Sequence, residues 1–327
     1  MIVFDDPSNI LRLADFGIGI PLLDTRPRNI IDRLQNSIPS RYLQQGFDDH
    51  IKPIDLARVH SKDWIDAVLA DDPTNAVCQT FELIDSEGQN HRYDPDQATK
   101  PLKLIAEGAL RHCSGAYEAA RLAQQHGFAY FLGGGMHHAM ETHGAGFCML
   151  NDVVVALRKL QALGQIKSAW VIDVDVHKGD GTAQITQEDL TISTLSIHMK
   201  HGWPLDLPKE KAADHPSYLP SNIDIGIDAN QEDVYLKRLE EGLERLAETC
   251  PKPDIIAVVN GSDPFEGDEL PSSNLINLSL EQMMERDQLV YQFCRNAEVP
   301  QFWLMAGGYG SHVWQVHAQF LEWVYSR

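Results

Sequence analysis

No Cys-X-X-Cys pair occurs in this chain, and its five cysteines (Cys78, Cys113, Cys148, Cys250 and Cys294) form an odd, scattered set. That pattern argues against a disulfide scaffold and against a cysteine-built zinc site. Basic residues are scarce as well: 27 Lys and Arg stand against 47 Asp and Glu, a net charge of −20. Surfaces that track phosphate are basic, so a nucleic-acid binder is not expected. The negative field suits a cationic substrate or basic partner through long-range steering, and equally an ordinary soluble surface. Long apolar runs are missing, and nothing reaches membrane-spanning length. The opening MIVFDDPSNILRLADFG has Asp5 and Asp6 where a secretion signal needs basic residues and then an apolar stretch. Together these absences predict a soluble protein of a reducing, cytoplasmic compartment. Repeats and low-complexity linkers are also absent, so a single domain over residues 1–327 is expected.

Hydrophobic residues make up 43% of the chain, enough for a real core. In the second half, short β-rich apolar runs alternate with helical patterns. The runs 168–176, 191–198, 254–260 and 302–307 read as strands. Helices are predicted over 152–163, 231–249, 280–296 and 311–325, the second from Leu236, Leu239, Leu243 and Leu246 on one face. Apolar strands alternating with helices imply a parallel sheet covered on both faces. The first 90 residues are less patterned, with a helix entry at 55–70 and a loop at 93–101 leading into a helix near 102–124.

Ligands of such sheets bind beyond the carboxyl ends of the strands. Four of those ends, including that of a further strand near 128–132, carry glycines with His, Asp or Tyr: GGGMHHAMETHGAGFCMLND, HKGDG, GSDPFEGDEL and GGYG. The stretch VIDVDVHKGDGT (171–182) is the most telling, a core-type strand ending in three acids and a histidine. Asp175 and His177, two apart, face the same side if the strand continues through them. They suit zinc, with Asp263 as third ligand and an open position for water and a carbonyl oxygen. Asp173 fits better as a partner behind the ligands. His137 and His138 can both reach a pocket, oriented by Asp173 and Asp180 respectively, one of them serving as general base and later acid. Tyr309 is a candidate oxyanion donor.

Taken in order, these motifs resemble the signature of the histone deacetylase family of the arginase–deacetylase superfamily, over roughly residues 128–312. The resemblance implies a single-domain α/β fold, with about eight mostly parallel strands and helices on both faces. It implies a metal-dependent amidohydrolase, with Asp175, His177 and Asp263 as ligands of Zn2+ (Fe2+ as a substitute). His137, His138, Asp173, Asp180 and Tyr309 become its catalytic set. It further implies a substrate tunnel lined by Gly146 and Phe147, with Trp203 opposite, a rim aspartate at Asp94, and a structural K+ held by Asp173, Asp175 and Ser196. The implied partners are an acylated lysine peptide or protein, or a small acylated amine, with no nucleic acid and no membrane. Two departures stand out. Lys178 follows the ligand histidine where many relatives carry His or Gln, and FGIGIPLLDTRPRNI (16–30) does not match the usual opening. Leu270 falls where relatives acting on acetylpolyamines carry a gatekeeper glutamate, and so resembles the lysine-deacetylating branch. Glu269 is adjacent, and a shift of one residue would reverse that reading. The rivals are an acetylpolyamine hydrolase, an arginase-type ureohydrolase with two metals, and a catalytically silent acyl-binding module.

Overall fold

The computed structural model describes the chain apart from residues 10, 23, 24 and 86. Leu23 and Asp24, within the atypical opening segment, therefore lie outside the described residues. Eight strands form one sheet: β1 Ile2–Asp5, β2 Leu43–Gln45, β3 Phe128–Phe131, β4 Ala169–Asp173, β5 Ile192–Met199, β6 Ile223–Ile227, β7 Ile255–Asn260 and β8 Gln301–Met305. Their order is β2-β1-β3-β8-β7-β4-β5-β6, and every neighbouring pair is parallel. The α-helices are α1 Arg26–Leu34, α2 Pro53–Leu56, α3 Lys62–Val68, α4 Thr74–Thr80, α5 Lys103–His126 and α6 Asp152–Ala162. They continue with α7 Asp180–Thr186, α8 Lys209–Ala212, α9 Glu232–Thr249, α10 Leu280–Asn296 and α11 Trp314–Tyr325.

The alternation of side chains along each strand divides the core in two. Ala169, Val171, Ile255, Ala257, Val259, Phe302 and Leu304 face one side, where they pack with α5 and α6. Trp170, Ile172, Ile256, Val258 and Trp303 face the other, with α1, α9, α10 and α11. Strands apolar on both faces have no solvent side, which is why they read as continuous hydrophobic runs. Removing a wholly buried ring such as Trp303 would cost about 3–5 kcal/mol.

This is the α/β architecture the sequence implies, and the eight-strand count agrees. The differences are local. β1, β2 and β6 were not anticipated: β1 and β2 have four and three residues, and β6 (IDIGI) interrupts its apolar positions with Asp224 and Gly226. The helix entry at 55–70 is two helices, because Ser61 accepts from Trp64 N and caps a new start. β4 ends at Asp173, so Asp175 and His177 lie in the loop beyond it rather than on the strand. Among the described residues no helix is long and apolar enough to cross a membrane.

β3, β8, β7 and β4 are consecutive in the sheet. The four strand ends marked by glycines and polar residues are therefore neighbours in space, and the site is assembled along this one stretch of the sheet edge.

Candidate active site

The loop after β3 is held from below. Asp152, at the start of α6, accepts from Gly135 N (3.0 Å) and Met136 N (2.7 Å). Gly134 and Gly135 have φ of +78° and +77°, and a Cβ on Gly134 would meet Asp152 Oδ2 at 2.4 Å. Only glycine combines that backbone with that approach. The loop delivers His137 and His138, whose ring centroids are 4.0 Å apart.

Each imidazole has its own carboxylate. His137 Nδ1 lies 2.6 Å from Asp173 Oδ2, and His138 Nδ1 lies 2.7 Å from Asp180 Oδ1. Ser217 Oγ donates to the other Asp180 oxygen. Burial pushes His137 down, but the charges of Asp173 and Asp175 and the hydrogen bond to Asp173 outweigh it and raise the ring to about 9. Burial also pushes His138 down, reinforced by the charge on His137; Asp180 does not compensate, and the ring falls to about 4. Two adjacent histidines are thus separated into a proton-bearing and a proton-free partner.

Asp175, His177 and Asp263 are each nearly or wholly buried, and their ligand atoms lie within 4.8 Å of one another. Each carboxylate has one oxygen tied to a neighbouring loop: Gly307 N donates to Asp175 Oδ2 (3.0 Å), and Val176 N to Asp263 Oδ1 (3.0 Å). The other oxygens face His177 Nδ1, Asp175 Oδ1 at 3.3 Å and Asp263 Oδ2 at 3.1 Å. Burial and the charge of Asp175 raise Asp263 to about 7. Burial lowers His177, but its hydrogen bonds to Asp175 and Asp263 overcome this and raise it to about 10. Two buried acids thus draw a positive charge between them, here the imidazole proton.

The donor set fits a small divalent cation. Donors of a tetrahedral zinc with bonds of about 2.0–2.1 Å stand roughly 3.3 Å apart, close to the separations above. The backbone also makes room. A Cβ on Gly261 would sit 2.3 Å from Asp175 Oδ2, and one on Gly307 2.5 Å from both Asp175 Oδ2 and Asp263 Oδ2. The three residues form a group able to hold a metal ion. Two of the residues expected to hold K+ lie on neighbouring strands. Asp173 and Ser196 are register partners on β4 and β5. Each Asp173 oxygen accepts one hydrogen bond, from His137 Nδ1 and Asp175 N respectively, and keeps a lone pair free. Ser196 Oγ accepts from Gly179 N (3.4 Å).

An outer funnel of about 190 Å³ and an inner chamber of about 180 Å³ meet at His138, Gly146, Phe147, His177 and Tyr309. Phe147 has φ +67°, a strained backbone for a non-glycine residue. Its ring lies 5.8 Å from Phe81 and 6.1 Å edge-on to Tyr309. Trp203 forms the opposite wall, 4.6 Å from His138 and 5.6 Å from His177. Burial and the charges of Asp263 and Asp175 hold the Tyr309 phenol well above its usual range, so it keeps its proton. Tyr309 N donates to Asp268 Oδ2 (2.7 Å), which ties this loop to the one after β7. Cys148 is buried with its thiol pushed far up, an inert side chain.

At the rim the structure decides between neighbours. Leu270 lines the funnel. Glu269 does not: its carboxylate accepts from Ser311 N (2.9 Å) and Ser311 Oγ (3.1 Å). Asp94 is not brought to the site. It is exposed, and its carboxylate caps a short 3-10 turn by accepting from Asp96 N and Gln97 Nε2. Asp followed by Pro-Asp is a capping signal, and the structure shows Asp94 in that role. The charged residues that do line the funnel are Glu82 and Arg92, both with left-handed backbone (φ +54° and +52°). Sequence reasoning missed both, since neither belongs to a motif. Lys178, the departure after His177, turns away from the site and donates to Leu219 O (2.7 Å).

Comparison with known proteins gives the family and the fold. The family model described as histone deacetylase domain matches residues 21–322, and the chain belongs to the histone deacetylase family. An uncharacterised protein of Picosynechococcus sp. is 32% identical over 250 residues, 76% of each chain. Histone deacetylase 2 of Arabidopsis thaliana is 27% identical over 82% of this chain, and the match spans 64% of that protein's length. The solved structure of an acetylpolyamine aminohydrolase from Burkholderia pseudomallei superposes with a TM-score of 0.69 over 98% of both chains at 16% identity, a likeness of fold.

Proposed function

We propose that this chain is a single-domain, metal-dependent deacetylase that hydrolyses the amide of acetyl-lysine in peptides or proteins. The observation that carries the substrate choice is the side chain at the funnel mouth: apolar Leu270 lines it, while Glu269 is turned onto Ser311. A leucine at that position suits a neutral acyl-lysine arm leading to a peptide better than it suits a polyamine.

A divalent ion held by Asp175, His177 and Asp263, zinc or alternatively iron, would acidify a water and polarise the amide carbonyl. His138 is neutral, and with Nδ1 bound to Asp180 its other ring nitrogen is available as general base. His137, charged against Asp173, holds the proton that the departing amine requires. Tyr309 keeps its phenolic proton and can donate it in a hydrogen bond to the developing oxyanion. Gly146 lets the substrate arm pass close to the backbone, since a Cβ there would sit 2.4 Å from the Trp203 ring and 2.5 Å from His138. Phe147 and Trp203 flank the arm and exclude water.

Glu82 in the funnel and the net charge of −20 favour a second reading, a small cationic acylated amine such as an acetylpolyamine. The deciding experiment measures kcat/KM on an acetyl-lysine peptide and on acetylputrescine side by side. A strong peptide preference is expected. A strong polyamine preference would replace the first reading by the second, and inactivity on both would remove acetyl-amines as substrates.

A further inference from the structure

Arg286 lies in the middle of α10 and is 0% exposed, as is its neighbour Asp287. All five of its N–H donors are engaged. Nε and one Nη2 donor reach Asp287 Oδ1 (2.9 and 2.7 Å), and the second Nη2 donor reaches Asn260 Oδ1 (2.6 Å). The Nη1 pair reaches Val174 O (3.0 Å) and Gly261 O (2.8 Å). These last two acceptors matter most. Val174 O belongs to the peptide plane that carries the Asp175 N–H. Gly261 O belongs to the plane that leads into Ser262 and then Asp263.

The β4–β7 ladder stops nearby. Val174 N donates to Val259 O (3.0 Å), and beyond that point the two chains diverge into the loops that carry Asp175, His177 and Asp263. The guanidinium bridges the two loops where the sheet no longer does. Its anchorage runs further back: Asn260 Nδ2 donates to Tyr130 OH (3.2 Å), which lies 2.8 Å from His317 Nδ1 on α11. Buried ion pairs seldom add net stability over apolar packing of equal volume. What the planar fork adds is geometry, five donors in fixed directions that join the two loop carbonyls to Asn260 and Asp287 at once, which an ammonium with three donors cannot reproduce.

We propose that Arg286 is a positioning residue that sets the spacing of the two loops carrying Asp175, His177 and Asp263, and so tunes the affinity and geometry of the metal site. This rests on the metal-site reading above, and the test keeps the two apart because it needs no substrate. Zinc affinity is measured by competition with a chromophoric chelator, and the visible spectrum of the cobalt-loaded protein reports ligand geometry. The double variant Arg286→Met/Asp287→Leu removes both charges together, so that neither is stranded. It is expected to fold, to bind zinc roughly 10- to 100-fold more weakly, and to show an altered cobalt spectrum. Arg286→Lys keeps the charge against Asp287 and is expected to fall between it and wild type. Val290→Ala, a wholly buried apolar position on the same helix, controls for general loosening: it should lower stability and leave affinity and spectrum unchanged. Wild-type affinity and spectrum in the double variant would overturn the proposal, as would an equal loss in Val290→Ala. If the double variant does not fold, wild-type affinity in Arg286→Lys overturns it instead. Absence of zinc binding in the wild type would overturn the metal reading and this proposal together.

Discussion

The floor and the mouth of the site are built on different principles. On the floor, the functional side chains are held by hydrogen bonds to buried partners. His137 and His138 each have a carboxylate, Asp175 and Asp263 each accept from a neighbouring loop's N–H, and Arg286 bridges the loops beneath. At the mouth, Glu82 and Arg92 are exposed charges on left-handed backbone, and Leu270 and Trp203 present apolar walls. Chemistry needs atoms held to within a fraction of an ångström, whereas choosing a substrate needs only shape and charge. The floor should therefore respond to substitution through kcat, and the mouth through KM and substrate preference.

The largest expected effect is on the floor. Removing the metal with a chelator, or substituting Asp263→Asn, should reduce hydrolysis to background with the fold intact by circular dichroism. Full activity after either would break the comparison at its centre. Next come Tyr309→Phe and His138→Ala, each lowering kcat by about 100-fold or more at unchanged stability. A near-normal rate would remove that residue from the reaction.

The floor also has a pH signature in its stability. His60 Nδ1 donates to Met140 O (2.9 Å), and its Nε2 accepts from Asn151 N (3.0 Å), which fixes a neutral tautomer under the histidine loop. Burial lowers the ring from 6.5 to about 4. A base depressed in the fold gives stability that is complete above the unfolded value and is lost as pH falls towards the folded one. Between pH 6.5 and 4, wild type should lose on the order of 3 kcal/mol from this group. Urea unfolding of wild type and His60→Gln across that window tests this, and parallel curves for the two would contradict it.

Effects at the mouth should be smaller. Leu270→Glu should shift the peptide-to-polyamine ratio of kcat/KM by about 10-fold towards the polyamine, the scale of a single new charge contact of about 1.4 kcal/mol. Glu82→Ala and Arg92→Ala should change KM a few-fold and leave kcat alone, as expected for exposed charges worth about 0–1 kcal/mol. A large fall in kcat in either would mean that the mouth takes part in the chemistry.

This division also explains what the sequence made legible. Acids and histidines closing apolar runs are anomalous, because burying them is costly without partners. Asp173, Asp175, His177 and Asp263 stood out for that reason, and the alternation of strands and helices implied the sheet. The mouth carries no such anomaly. Glu82 and Arg92 are ordinary surface types, and Asp94 is ambiguous because a rim aspartate and a helix-capping aspartate look alike in one dimension. Arg286 was hidden differently: it sits in a polar run with Glu285, Asp287 and Gln288 whose burial the sequence does not mark, and only packing shows Arg286 and Asp287 in the core. β1 and β2 were missed because they are short and lie in the poorly patterned N-terminal part, and β6 because Asp224 and Gly226 break the continuous apolar run that marked the other strands.

The most direct test of the account is a zinc titration of the metal-stripped protein, following amine release from an acetyl-lysine peptide. Activity should rise linearly and saturate at one ion per chain, and the Asp263→Asn variant should stay silent throughout. Full activity without metal, or saturation only at two ions per chain, would contradict a site built from Asp175, His177 and Asp263 around a single cation.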